Sequence, residues 1–261
     1  MVAALKKVYK EKVIAFIPAK ANSTEIHEKN LKLVNGKSLV FRSFEFATNH
    51  PAINQVILST DSYKIVNNCV PGAISQSIFS SIAPGHVKQL SDKIYVHRRD
   101  TKHATSTART IECVLNFLKH AQKDLQESRY LLLLQPTSPF RNKEELLDII
   151  KMSEKMNCLS IISAKLFDSP HPEKAFRIDA NFNLENLKVL QNRLSIPRQA
   201  LEKFYVFDGA YYFTDIELLL KYKSFVSIHT RIFIREGWKT LNIDNNEDLN
   251  LANYIASKER L

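Results

Sequence analysis

Two rhythms of apolar residues alternate along the chain. Val13 to Ile17 is a short apolar run closed by Pro18, which predicts a strand buried on both faces. From Ser38 to Thr48 the spacing changes, and Leu39, Val40, Phe44 and Ala47 share one face of a helix. Gln55 to Leu58 predicts the next strand, with a short helix from Ser62. Ile111, Val114, Leu115 and Leu118 recur at i, i+3, i+4 and i+7, the period of an amphipathic helix. Tyr130 to Leu134 is an unbroken apolar run and predicts a central strand. Asn142, with Glu145 three residues on, predicts a capped helix start, and Leu146, Leu147 and Ile150 supply its buried face.

Alternation of this kind predicts an α/β fold with a mostly parallel sheet and helices on both faces. Ligands of such sheets sit beyond the carboxyl ends of the strands. The loops after Ile17, Leu58 and Leu134 are therefore the ones to inspect for chemistry. Residues 69–93 break the rhythm: they are rich in Ser and hold Pro71, Gly72, Pro84 and Gly85, so an irregular surface excursion is expected. There is no internal repeat and no low-complexity tract.

Composition narrows the classes. A chain of 261 residues with 44% hydrophobic content can bury one sizeable core. No apolar run approaches the roughly 18 residues that span a bilayer, and Met1 to Lys12 carries four lysines without an apolar signal core. The expectation is a soluble cytoplasmic protein with no membrane partner. Cys69, Cys113 and Cys158 are odd in number and widely spaced, which suits a reducing compartment and matches no metal spacing. The net charge of +10 fits either an anionic partner or a lysine-rich solvated surface. Its carriers are scattered, with no long basic block, so no nucleic-acid partner is expected.

Two loops carry candidate chemistry. Ala19 to Asn30 holds Lys20, Asn22, Ser23, Thr24, Lys29 and Asn30. It has the ammonium and hydroxyl groups to hold a triphosphate, but lacks the glycines of a P-loop. A plain polar connection is the alternative. Gln135-Pro136-Thr137-Ser138-Pro139-Phe140-Arg141 is sharper. Its prolines stiffen the backbone, while an amide, two hydroxyls and a guanidinium suit a polyol that bears a carboxylate. A rigid turn before a capped helix is the alternative.

Leu134 to Arg141 resembles the hallmark of the CMP-N-acylneuraminate cytidylyltransferases, a family that includes CMP-legionaminic acid synthetase-like enzymes. The first loop is similar to that family's Ala-Arg-x-Asn/Gly-Ser-Lys-Gly-x-x-x-Lys-Asn signature. Asn35 to Leu39, Leu58 to Asp61, Val96 to Arg99, Arg198-Gln199, Asp208 to Tyr212, and Leu241 to Asp244 with Glu247 to Leu249 resemble later family segments, in family order. The resemblance spans about residues 12–257. It implies a single Rossmann-like three-layer sandwich of the nucleotide-diphospho-sugar transferase type, preceded by a short basic extension, residues 1–11.

The resemblance also implies a reaction, CTP plus a nine-carbon acidic sugar giving CMP-sugar plus pyrophosphate. Lys20 and Lys29 would hold the phosphates as catalytic cations, with Asn22 and Ser23 beside them. Asn30, Arg99 and Thr110 would meet the cytidine. Gln135, Thr137, Ser138, Arg198, Gln199 and Tyr212 would line the sugar site. Asp244, with Asn242, would bind Mg²⁺ as cofactor, although Glu247 and Asp248 nearby suit a helix cap. Tyr211 and Tyr212 alternate in an expected strand, so one of them belongs to the core. A homodimer is implied, with residues 163–178 projecting towards the partner around Ser169-Pro170-His171-Pro172, anchored by Phe167 and Phe176.

The chain departs from the family pattern at four positions. Lys20 replaces Arg, Thr24 replaces Lys, Glu25 replaces Gly and Asn242 replaces Asp. Residues 69–93 are also longer than their counterpart. These departures leave room for two other readings: a weakened homologue that binds nucleotide without efficient turnover, or an enzyme for legionaminic acid, pseudaminic acid or Kdo.

Overall fold

The computed structural model describes residues 11–259 apart from 22, 24, 122–124, 126, 168 and 186. Its frame is an eight-stranded sheet of β1 (Val13–Pro18), β4 (Gln55–Thr60), β5 (Val87–Gln89), β6 (Ile94–Arg98), β7 (Tyr130–Leu133), β8 (Ser160–Leu166), β9 (Tyr205–Asp215) and β10 (Thr230–Ile234). A separate hairpin pairs β2 (Leu33–Val34) with β3 (Lys37–Ser38). The strand order is β10-β8-β9-β7-β1-β4-β6-β5. β7, β1, β4 and β6 run parallel, β8 and β10 run parallel, and β9 is antiparallel to both neighbours.

Strand alternation divides the core between the two faces of the sheet. Val13, Ala15, Ile17, Val56 and Leu58 point to one side, onto helices Leu39–Asn49, Tyr63–Cys69 and Lys143–Lys155. Ile14, Phe16, Ile57, Leu131 and Leu133 point to the other, onto Thr110–His120 and Ile216–Tyr222. This is the expected three-layer α/β sandwich. A third cluster of Ile26, Val34, Phe140, Ile243 and Ala252 packs the first loop and the hairpin against helix Asn246–Lys258.

The helix boundaries follow their caps. Asn142 accepts from Glu145 N, as the sequence suggests, and Ser38 Oγ accepts from Phe41 N. Two faces are rotated from expectation. The Thr110–His120 helix buries Cys113, Val114 and Phe117, leaving Ile111, Leu115 and Leu118 partly covered. The next helix buries Ile149 rather than Leu147. Residues 69–93 are more regular than their composition suggests. Ser75 caps a short helix, Gln76–Ser81, and β5 pairs antiparallel with β6. Arg98 anchors this segment by donating to the carbonyls of Ser80 and Ile82.

Residues 163–166 do not project; they belong to β8, where Ser163 is buried and its hydroxyl bonds Asp208. The chain leaves the sheet at Phe167 and returns at Tyr205. Between them lie the turn Pro172–Lys174, helix Leu187–Leu194 and the turn Arg198–Ala200. β8 is parallel to β10 and antiparallel to β9, which is itself antiparallel to β7. The excursion therefore leaves from the same edge of the sheet as the loops after β1 and β7.

Candidate active site

Crossing from β1 to β4 goes one way along the sheet, whereas β7 lies on the opposite side of β1. The order reverses between β1 and β7, and their two loops part there to open a crevice. A cleft of about 310 Å³ occupies this position. It is lined from the first loop by Lys20, Ser23, Glu25, Lys29 and Asn30, from beyond β6 by Arg99, His103 and Thr110, from beyond β7 by Gln135 and Thr137, and from the C-terminal segment by Asn242 and Asp244.

The first loop is held by its neighbours. Asp61, at the end of β4, accepts from Ala21 N at 2.8 Å, which gives that carboxylate a bracing role. Asn30 is buried and its amide donates to Lys20 O at 2.8 Å. Lys20 reaches across to Thr105 O at 3.2 Å. Lys29 Nζ lies 3.0 Å from Ile243 O, 3.1 Å from Asp244 O and 3.6 Å from Asp244 Oδ1. Its side chain is only 12% exposed, so the ammonium is fixed rather than waving in solvent. Arg99 is buried, donates to Ser59 O at 3.3 Å, and has an Nε with no hydrogen-bond partner among the described residues. A buried guanidinium so poorly matched is ready for an incoming acceptor.

The Gln135 loop is rigid for a reason other than its prolines. Arg141 donates to Ala210 O, Ser43 Oγ and Gln135 O at 2.9, 2.9 and 2.7 Å. Burial pulls its pKa down to about 10, which leaves it cationic at neutral pH. It is a strut of the fold and not the free carboxylate clamp that the sequence suggested. Ser138 is likewise buried, with Oγ 2.7 Å from Asp208 O, and does not line the cleft. Beneath them Arg235 pairs with Asp208 at 2.7 Å and with Glu145 at 3.0 Å. The Tyr211 hydroxyl, with one hydrogen to give, lies 3.0 Å from Glu145 Oε2 and 3.1 Å from Asn142 O in the same buried network.

Tyr211 is the core member of the tyrosine pair. Tyr212 faces the opposite layer, 5.5 Å from the Phe225 ring, and does not line the cleft. Gln199 lies in a shallow pocket of the excursion with Phe167 and His171, apart from Gln135. Arg198 sits in the adjoining turn. Asn22 and Thr24 lie outside the described residues. Sequence reading missed His103, whose Nδ1 is buried with no hydrogen-bond partner among the described residues. No local signal marks it, because only the fold brings the turn Thr101–His103 opposite the first loop.

Asp248 and Asn245 form a capping box at the start of helix Asn246–Lys258, and Asp248 also accepts from Asp244 N. The Asp244 carboxylate is thereby left to the cleft, 67% exposed. Octahedral Mg²⁺ bonds of about 2.0–2.1 Å put neighbouring ligand atoms about 2.9 Å apart. Asn242 Nδ2 donates to Asp244 Oδ2 at 3.0 Å. That neighbour is the amide nitrogen, so the pair fits Mg²⁺ only with the amide turned to present its oxygen beside the Asp244 carboxylate, the rest of the shell being water or substrate phosphate.

Fold and cleft together define a three-layer α/β domain with a polar cleft at its strand-order reversal. A family model described as cytidylyltransferase matches residues 14–84. An N-acylneuraminate cytidylyltransferase of Escherichia coli is 27% identical over 255 residues, covering 95% of this chain and 53% of the relative. The chain thus spans about half the length of that protein. A CMP-N,N'-diacetyllegionaminic acid synthase of Legionella pneumophila is 26% identical, covering 94% of this chain and 96% of the relative. Among solved structures, a CMP:2-keto-3-deoxy-manno-octonic acid synthetase complexed with CTP superposes with a TM-score of 0.61 at 13% identity, over 95% of this chain and 99% of that one. The structural likeness bears on fold alone. The sequence matches support the cytidylyltransferase resemblance at modest identity over most of the chain. No helix of the described residues is long and apolar enough to cross a membrane.

Proposed function

We propose that this chain is a cytidylyltransferase that activates a nonulosonic acid, converting CTP and an acylneuraminate-type sugar into CMP-sugar and pyrophosphate. The observation that carries this reading is the convergence of Lys20, Lys29, Asn30, Arg99, Gln135 and Asp244 on one cleft at the strand-order reversal. Lys20 and Lys29 neutralise the triphosphate, and Arg99 and Asn30 meet the cytosine edge. Gln135 and Thr137 orient the sugar so that its anomeric oxygen faces the α-phosphorus, in line with the departing pyrophosphate. Asp244 and Asn242 would hold Mg²⁺, whose charge offsets that of the α-phosphate. The hydroxyl proton passes to water as the new P–O bond forms and the bond between the α-phosphorus and the departing pyrophosphate breaks.

The site is completed by a second copy of the chain. Within one chain Gln199 lies away from the cleft, and the excursion exposes Phe176 at 60% and Phe182 at 83%. Such a surface supports a homodimer in which the excursion reaches the partner's sugar site. The reaction uses a cytoplasmic nucleotide, and Cys69, Cys113 and Cys158 are free and buried, which supports a cytoplasmic location.

The deciding experiment offers CTP and Mg²⁺ with a panel of sialic, legionaminic, pseudaminic and Kdo-type acids and reads CMP-sugar by mass spectrometry. One acid giving CMP-sugar with matching pyrophosphate release is expected. Equal use of UTP or ATP would overturn the cytidine assignment. A second reading, a weakened homologue, is favoured by Glu25, whose carboxylate lines the cleft beside the proposed phosphate site. It predicts CTP binding without product.

A further inference from the structure

Asn242 stands between two partners that make opposing demands on its amide. Ser138 Oγ lies 3.3 Å from Asn242 Oδ1 and 2.7 Å from Asp208 O. A serine hydroxyl has one hydrogen, and the nearer carbonyl is the better acceptor. With that hydrogen given to Asp208, Ser138 turns lone pairs towards Asn242 and is better served by the amide's NH₂ end. On its other side, Asn242 Nδ2 donates to Asp244 Oδ2 at 3.0 Å. Turning the amide half a turn would satisfy Ser138 but would set Asn242 Oδ1 against the carboxylate. Two acceptors at that distance repel unless a cation or a bridging donor lies between them.

We infer that Asn242 is a cation-selected amide. Without metal its NH₂ end latches Asp244. When Mg²⁺ enters, the amide turns over, Oδ1 joins Asp244 as a ligand and Nδ2 donates to Ser138. This rests on the reading of Asp244 as a metal ligand. Lys29 Nζ, 3.6 Å from Asp244 Oδ1, covers the carboxylate's other oxygen. Asp244 is therefore balanced by protein donors while the cleft is empty, and free metal displaces them only at about millimolar concentration or above. Metal that arrives on nucleotide phosphates brings the ligands needed to turn the amide. Gly209 makes the arrangement compact. Its φ of 77° brings backbone so near that a Cβ would lie 2.7 Å from Ser138 Oγ and 3.5 Å from Asn242 Oδ1.

The test uses the whole chain and MgCl₂ alone, followed by side-chain amide NMR with the Asn242 signal assigned through Asn242→Ala. Saturating Mg²⁺ is expected to shift that signal and to produce a contact between Nδ2 hydrogens and the Ser138 β-hydrogens. A signal unmoved up to tens of millimolar Mg²⁺, well above the roughly millimolar range of weak oxygen-ligand sites, overturns the inference. Variants supply a second arm. Asn242→Asp removes the latch and adds charge, so it should bind Mn²⁺, read by electron paramagnetic resonance, about tenfold tighter. It should also melt below wild type in EDTA and regain that loss in Mg²⁺. Ser138→Ala should weaken Mn²⁺ binding. Unchanged melting of Asn242→Asp in EDTA counts against the latch. Neither arm needs turnover. An amide that turns over in a chain that makes no CMP-sugar sinks only the proposed function, and product formed with an unmoved amide sinks only this inference.

Discussion

The cleft loops and the excursion of residues 167–204 leave the same edge of one sheet, yet they are held in different ways. The loops after β1 and β7 are tied by buried polar struts: Asp61 to Ala21, Arg141 to three acceptors, and Arg235 to Asp208 and Glu145. Every strut ends on a partner within the chain. Among its described residues the excursion shows no such frame. His171 reaches Glu202 O at 3.0 Å, but Phe176, Ile178 and Phe182 stay exposed. On the proposed reading, a cleft that positions phosphates must be rigid before substrate arrives, whereas an apolar surface that awaits a partner would be finished only in the assembly. The two regions differ in what completes them.

The largest expected effect breaks the cleft side of this contrast. Lys29→Ala and Asp244→Ala should each lower kcat/KM for CTP by about a hundredfold or more in a pyrophosphate-release assay. Folding should change little in both, because neither side chain belongs to the core. If both variants retain full activity, the cleft is not the reaction site.

Next in size is the frame itself. Asp208→Ala leaves Arg235 buried and half-paired, so denaturant unfolding should show a loss of about 3–5 kcal/mol. A loss below about 1 kcal/mol would mean the network does not hold the loops.

The frame also sets a pH dependence. His97 is buried between the rings of Phe16 and Phe117, at 6.1 and 5.7 Å. Its ring nitrogens bond Ser59 Oγ and Asn116. Burial pushes its pKa down from 6.5 to about 4. The folded chain therefore keeps the ring neutral while the unfolded chain takes up a proton below pH 6.5. Stability is fully present above 6.5 and falls as pH drops towards 4, by up to about 3 kcal/mol. Melting curves across that window should flatten in His97→Gln. An equal slope in variant and wild type would assign the loss to other groups.

The smallest effect tests the excursion. Phe182→Ser should change the stability of the dilute single chain by less than about 0.5 kcal/mol, because the ring is 83% exposed. At micromolar concentration the same change should lower the mass measured by light scattering, and should raise KM for sugar more than for CTP. A monomeric wild type, or a variant that melts far lower when dilute, would erase the contrast.

The sequence by itself determined the elements and the order in which they come. Val13 to Ile17 and Tyr130 to Leu134 read as buried strands because parallel strands covered on both faces need continuous apolar runs. Asn142 read as a cap because a side-chain acceptor there satisfies an orphan N–H locally. Gln135 stood out in a proline-stiffened polar loop, whereas Lys29, Arg99 and Asp244 were assigned roles only through motif context, since little in their local chemistry separates them from surface residues. Other assignments waited for the tertiary structure. Arg141 and Ser138 look like binding residues in a polar loop, but strands distant in sequence supply Ala210 O and Asp208 O as their partners. Tyr211 and Tyr212 differ by one position and face opposite layers, which strand pairing decides. His103 enters the cleft only because the turn after β6 folds opposite the first loop. Local pattern fixes what depends on neighbours a few residues away. The partners of a buried polar group come from anywhere in the chain, and only the packed fold names them.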